Sequence, residues 1–265
     1  MSRYLTILCW IVLSSCRGVD SLAPLEKHTI HSEEIDDDFT IEFRVSENFD
    51  PSQPYTMIYI PDATLGLGTY VLGKDSLWSA QVPPQCVVAA IGHVGSTDMK
   101  RRRDFIPSNA GGHREKNFGN AHLFYEFLKS SIIPLVEKQF PKQKRKVLIG
   151  HSFSGLFCLY AALQNENLFD TYFAISPSVW ANDRELLKIE EAFAEKNKSW
   201  NAKIVMYAGG LEVFNKVLSS TRSFLNNTQQ RNYEGFSISL DVISAANHFS
   251  IRKPAIDRIF ASLRN

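Results

Sequence analysis

The chain has 265 residues, of which 44% are hydrophobic, 22% charged and 12% aromatic; this composition supports a sizeable core and excludes general disorder. Its 29 basic and 28 acidic residues leave a formal charge of +1, so nothing global marks it as a nucleic-acid binder. The length suits one large α/β domain or two small ones.

The first residues read as an export signal: Arg3, then the apolar run 4–13, then small residues. The run is too short to cross a bilayer, which takes about 20 apolar residues. Leu13-Ser14-Ser15-Cys16 resembles the bacterial lipobox, so Cys16 is the expected lipidation site. The expectation is an exported protein, periplasmic or anchored in the outer membrane, that meets a membrane only through that anchor. Plain secretion, with Cys16 incidental, is the alternative. Residues 17–38 are polar and end in EEIDDD, which reads as a tether. Residues 39–265 read as a single domain.

The domain opens on FTIEFRVSENF (39–49), which alternates apolar and polar positions like a half-buried antiparallel strand. Near-continuous apolar runs follow at 55–60, 86–92, 146–150, 172–176 and 203–209, as in strands covered on both faces. FSISLDVIS (236–244) alternates more. Helical spacing appears over 120–137, 156–163 and 253–263. Strands alternating with helices predict a mostly parallel central sheet with helices on both faces. Cys86 and Cys158 lie in apolar runs and read as small buried hydrophobes rather than as a disulfide framework. No Cys/His spacing suggests a metal site, and no cofactor is expected.

Ligands of an open α/β sheet bind beyond the carboxyl ends of its strands. Three reactive residues fall there: Ser152 after 146–150, Glu212 after 203–209 and His248 after 236–244. A serine hydroxyl is a weak nucleophile, so a base must take its proton and a carboxylate must fix the base's tautomer. The order serine, acid, histidine is that of the α/β-hydrolase triad. Asp241 and Asp183 are rivals for the acid. His151 is expected to pack beneath the serine turn, and His93 and His113 are placed to line a cleft. The Phe153 amide is the first expected oxyanion donor, with the amide of Ala63 or Thr64, after strand 55–60, as the second. Arg102 and Arg103 could clamp an anionic group, and Trp180 could stack on a ring.

The segments LIGHSFSGLFCLYAAL, ISPSVW, RRRDFIP, YAGGLE and NHFSI, in this order, resemble the Putative esterase branch of the α/β hydrolases, which includes the esterase D-like enzymes and the ferric-siderophore esterases. The resemblance covers roughly residues 40–263. It implies an α/β-hydrolase fold and a serine carboxyl-ester hydrolase acting on a small-molecule ester through an acyl-enzyme, with Ser152 as nucleophile, His248 as base and Glu212 as acid. The chain departs from that pattern with Ser154 for a glycine, Ala181 for a second tryptophan, and Asp62-Ala63 for Asp-Gly. A non-catalytic binding lipoprotein of the same fold, or an acyltransferase, is the alternative.

Overall fold

In the computed structural model, residues 25–73, 82–95, 97–108, 118–213 and 216–264 are described. The export signal, Cys16 and His113 lie outside the described residues. Eight strands form one sheet in the order β1-β2-β4-β3-β5-β6-β7-β8. These are β1 (Leu25–Ser32), β2 (Asp37–Val45), β3 (Tyr55–Pro61), β4 (Cys86–His93), β5 (Gln143–His151), β6 (Thr171–Ile175), β7 (Lys203–Gly209) and β8 (Ser237–Ile243). From β4 to β8 every neighbouring pair is parallel, whereas β2 is antiparallel to both β1 and β4. Two reversals make β1 run in the same direction as the parallel strands.

The covered strands are buried along nearly their whole length, because helices close both faces of the sheet. On one face Ile58, Ile60, Val88 and Ile149 pack with α1 (Leu67–Leu72) and α8 (Arg252–Leu263). On the other, Met57, Tyr59, Ala89 and Leu148 meet the remaining helices. Those are α2 (Asp98–Phe105), α3 (Ala121–Phe127), α4 (Ile133–Gln139), α5 (Phe153–Ala162), α6 (Ala181–Lys196) and α7 (Val217–Gln230). A π-helical turn, Leu128–Ile132, joins α3 to α4, so the helix expected over 120–137 is continuous but underwound at its centre. Cys86 and Cys158 are buried free thiols.

The tether expected over 17–38 is corrected: its second half belongs to the sheet. Residues 25–32 form β1 and Asp37 opens β2, with Ile30 opposite Phe39 and Thr29 opposite Thr40. An edge strand needs few apolar residues, since one edge faces water and one face of β1 is exposed. RRRDF, which the sequence assigned to no element, lies in helix α2, with Asp98 in its first turn and Arg102 and Arg103 in its last, a charge arrangement that suits the helix dipole.

Candidate active site

The turn from β5 to α5 places Ser152 at φ 63, a conformation that costs a non-glycine residue about 1–3 kcal/mol and persists only where its surroundings impose it. Those surroundings are specific. The Ser152 amide donates to the Ile175 carbonyl at 3.0 Å, and its own carbonyl accepts the Ser178 amide at 3.1 Å. Ser154, where a glycine was expected, is wholly buried. Its hydroxyl donates to the His151 carbonyl at 2.9 Å and accepts the His151 amide at 3.0 Å. The hydroxymethyl group therefore satisfies backbone groups that a glycine would leave to water. The tight position is Gly150: a Cβ there would lie 2.1 Å from the Ser154 carbonyl oxygen.

His248 is carried by a turn between β8 and α8 in which Asn247 Oδ1 accepts the amides of Phe249 and Ser250 at 2.9 and 3.0 Å. Glu212 follows β7 through Gly209-Gly210, and a Cβ on Gly209 would strike the Ala246 carbonyl at 2.3 Å. The glycine lets the acid loop dock on the histidine loop. His248 Nε2 lies 3.0 Å from Ser152 Oγ, and Nδ1 lies 2.6 Å from Glu212 Oε1. Glu212 is only 2% exposed, and its other oxygen accepts the Ser176 hydroxyl at 2.6 Å and the Gly209 amide at 2.7 Å. Burial opposes its charge, but the hydrogen bonds from His248, Ser176 and Gly209 outweigh it and hold the carboxyl below its ordinary pKa. The ionised acid keeps the proton on His248 Nδ1 and leaves Nε2 free to accept the serine proton.

The rivals for the acid are set aside by position. Asp241 pairs with Arg258 on the sheet edge, and Asp183 is exposed beside Lys188 at 3.3 Å.

His151 packs beneath the turn as expected, its ring centroid 4.7 Å from that of His248. Its Nε2 donates to the His248 carbonyl at 2.8 Å. Burial, then the neighbouring His248, pushes its pKa down to about 3, so it is neutral in the native state. The unfolded histidine protonates near 6.5 while the folded one resists down to about 3, so this group's stability contribution falls as pH drops through that window, by about 1.4 kcal/mol per pH unit. Urea unfolding of His151→Gln is expected to show a flatter pH dependence between pH 6 and 4; a slope equal to wild type would refute the assignment.

Of the oxyanion donors, Phe153 opens α5 and its amide has no acceptor among the described residues. Ala63 is corrected: its amide donates to the Ile91 carbonyl at 2.8 Å and its carbonyl accepts Thr69 Oγ1 at 2.8 Å. The Thr64 amide is uncommitted among the described residues. Arg101, not singled out in the sequence, holds this loop through bonds of 2.9 and 2.8 Å to Asp62. Burial lifts Asp62 to about 6 although Arg101 opposes the shift.

Arg103 is also corrected. It is engaged with Asp104 at 2.6 and 2.8 Å and with Asp37 at 2.8 Å, because α2 turns it toward β2 rather than toward the cleft. His93, expected to line the cleft, is 2% exposed and bonds Asp104 at 2.8 Å. Removing Arg103 strands a buried carboxylate, so Arg103→Ala is expected to lose about 3 kcal/mol of stability with KM unchanged, read by urea denaturation and steady-state kinetics. Arg102 remains at the mouth, its guanidinium 5.3 Å from the Phe153 ring centroid. Trp180 is 38% exposed and flanks the same ring at 6.3 Å. Leu65, Val94, Met99, Leu211, Val213 and Phe249, also exposed, follow strand ends as Trp180 does. Among the described residues Leu135 is the one other large exposed apolar side chain.

The sequence profile of the family described as Putative esterase matches residues 32–247. The chain belongs to that family. The chain is 31% identical over 153 residues to the siderophore triacetylfusarinine C esterase of Aspergillus fumigatus, covering 55% of this chain and 51% of that protein. The match thus spans about half the length of the fungal relative. It is 28% identical over 206 residues to the ferri-bacillibactin esterase BesA of Bacillus subtilis, covering 71% of this chain and 68% of that one. The solved siderophore hydrolase EstB of Aspergillus nidulans superposes with a TM-score of 0.72 at 21% identity, covering 90% of this chain and 94% of that one, which places the chain in the α/β-hydrolase fold.

Proposed function

We propose that this esterase hydrolyses carboxylic esters of the siderophore type through an acyl-enzyme on Ser152. The observation that carries the reading is His248 bridging an ionised, buried Glu212 and Ser152 Oγ, at 2.6 and 3.0 Å. Ser152 Oγ attacks the ester carbonyl carbon as its proton passes to His248 Nε2, and Glu212 stabilises the imidazolium. The oxyanion is met by the amides of Phe153 and Thr64. Collapse expels the alcohol, which takes the proton from His248. Water then attacks the acyl carbon, His248 accepts its proton and returns it to Ser152 Oγ, and the carboxylic acid leaves.

The substrate class rests on the rim and on the relatives. Trp180 and Phe249 offer exposed aromatic faces, and Arg102 and Arg252, the latter 5.8 Å from the Phe249 ring centroid, add positive charge for an anionic, ring-bearing ester. Two relatives are named for siderophore esters. The test is a panel of siderophore, feruloyl, acetyl-glycan and p-nitrophenyl esters, together with a fluorophosphonate probe. Hydrolysis with labelling of Ser152 is expected; no turnover and no labelling would overturn the reading. Arg102→Ala is expected to raise KM about fivefold for anionic esters and to leave neutral ones unchanged.

We also infer that the chain is exported and acylated on Cys16, on the strength of the apolar run 4–13 and the cysteine at its end. A fatty-acid probe should label the wild-type chain and not Cys16→Ala; equal labelling of both would overturn this.

A further inference from the structure

The turn that follows β6, Ser176-Pro177-Ser178, touches both ends of the catalytic constellation. Ser176 holds the acid. Ser178, 1% exposed, brings its hydroxyl to 3.3 Å from Ser152 Oγ. Among the described residues that oxygen is the hydroxyl's one hydrogen-bond partner.

The direction of the bond follows from counting protons. Ser152 has a single hydroxyl proton, and the base at 3.0 Å claims it, since His248 Nε2 is unprotonated while Glu212 is charged. Ser152 Oγ can therefore only accept from its second neighbour. We propose that Ser178 is a further catalytic residue, whose hydroxyl donates to the reacting oxygen of Ser152; this rests on the esterase reading above.

The consequence for each half-reaction is explicit. On attack, Ser152 Oγ forms its bond to the acyl carbon as its proton leaves for His248. When the acyl-enzyme is hydrolysed, that bond breaks, its electron pair returns to Oγ, and His248 gives the proton back. In both steps Oγ passes through alkoxide character. A donor fixed beside it, and itself buried, stabilises that charge more than it stabilises the neutral resting hydroxyl. The same bond also fixes the Ser152 rotamer, so that the proton points to His248 before substrate arrives. Backbone contacts hold the donor in place: the Ser178 amide bonds the Ser152 carbonyl at 3.1 Å, and the Ser176 amide bonds the Tyr207 carbonyl at 2.7 Å. Ser178 thus moves with the nucleophile rather than with the rim.

The test compares wild type, Ser152→Ala, Ser178→Ala and Ser178→Thr on p-nitrophenyl acetate and on the best ester of the panel. Ser178→Ala is expected to lower kcat about 10- to 100-fold, with KM within about twofold, and to slow fluorophosphonate labelling by a similar factor. Its Tm is expected to match wild type, which separates the effect from a loss of packing. Ser178→Thr keeps the donor and is expected to recover kcat to within about fivefold of wild type. Wild-type kcat in Ser178→Ala, or equal losses in Ser178→Ala and Ser178→Thr, would overturn the assignment while turnover by wild type and its loss in Ser152→Ala still upheld the esterase reading. Absence of turnover and labelling in wild type would instead overturn both.

Discussion

Ser152→Ala is expected to lower kcat on any accepted ester by at least about 10⁴-fold and to abolish fluorophosphonate labelling, with Tm close to wild type. Alanine keeps the Cβ that makes φ 63 costly at this residue, so the variant removes the hydroxyl without relieving the strain of the turn. Glu212→Gln should come close to the same loss. It keeps the shape and the hydrogen-bonding capacity, but the amide is uncharged and can present a donor to His248 Nδ1. The imidazole then carries its proton on Nε2, where it can no longer accept from Ser152, a change that costs about 10⁴-fold in such triads. Residual activity above about a tenth of wild type in Glu212→Gln would mean that another group orients the base. The pH profile should agree, since Glu212 is held ionised below its ordinary pKa. Its stabilising contribution is present above the unfolded value of about 4.5 and is lost only as pH falls through the lower folded value.

The second large effect is conformational. In Gly150→Ala the new methyl would sit 2.1 Å from the Ser154 carbonyl oxygen and 2.8 Å from Cys158 Sγ. The first contact is between a Cβ and a backbone carbonyl, so no side-chain rotation relieves it. Either the first turn of α5 moves away from β5 or the strand shifts its register against β6. Both misplace Ser152 relative to His248. The expected cost is about 3 kcal/mol or more, seen as a fall in Tm of about 10 °C and as loss of labelling in whatever protein remains folded. A Gly150→Ala protein that labels at the wild-type rate would show that the turn is looser than its contacts imply. Set against Ser154, which accommodates a hydroxyl by bonding it to His151 at both 2.9 and 3.0 Å, the comparison locates where this turn needs a glycine: before the serine, not two residues after it.

Much of this was legible in the chain itself. The strands covered on both faces are apolar runs because helices lie over them, and β3, β4 and β7 begin where those runs begin. The three triad members stand at strand ends in chain order, and the structure brings all three together. What escaped had little apolar signal to give. β1 reads as a tether because an edge strand shows water most of its side chains and carries His28, Thr29 and His31. Helix α2 is dense in charge, and the partners of its arginines are set by helical phase, which a linear reading cannot assign: Arg103 faces Asp37 and Asp104, Arg102 pairs with Asp98 and lies over Phe153, and Arg101 bonds Asp62 and lies over the same ring. Ala63 lost its expected role because its amide completes a bond to Ile91 across the sheet, and pairing between distant strands leaves no local mark. Ser176 and Ser178 were visible as part of ISPSVW, but only the fold shows that one serves the acid and the other the nucleophile.

The direction of β1 has a practical consequence. Running with the parallel strands, it starts at the end of the sheet opposite Ser152, Glu212 and His248, which all follow strand carboxyl ends. Whatever precedes Leu25 therefore joins the body on the far side from the mouth. A protein held to a surface by that end would turn its mouth outward, drawing esters from the surrounding solution rather than from the surface that holds it. The same polarity recommends the amino terminus for immobilising the enzyme on a support.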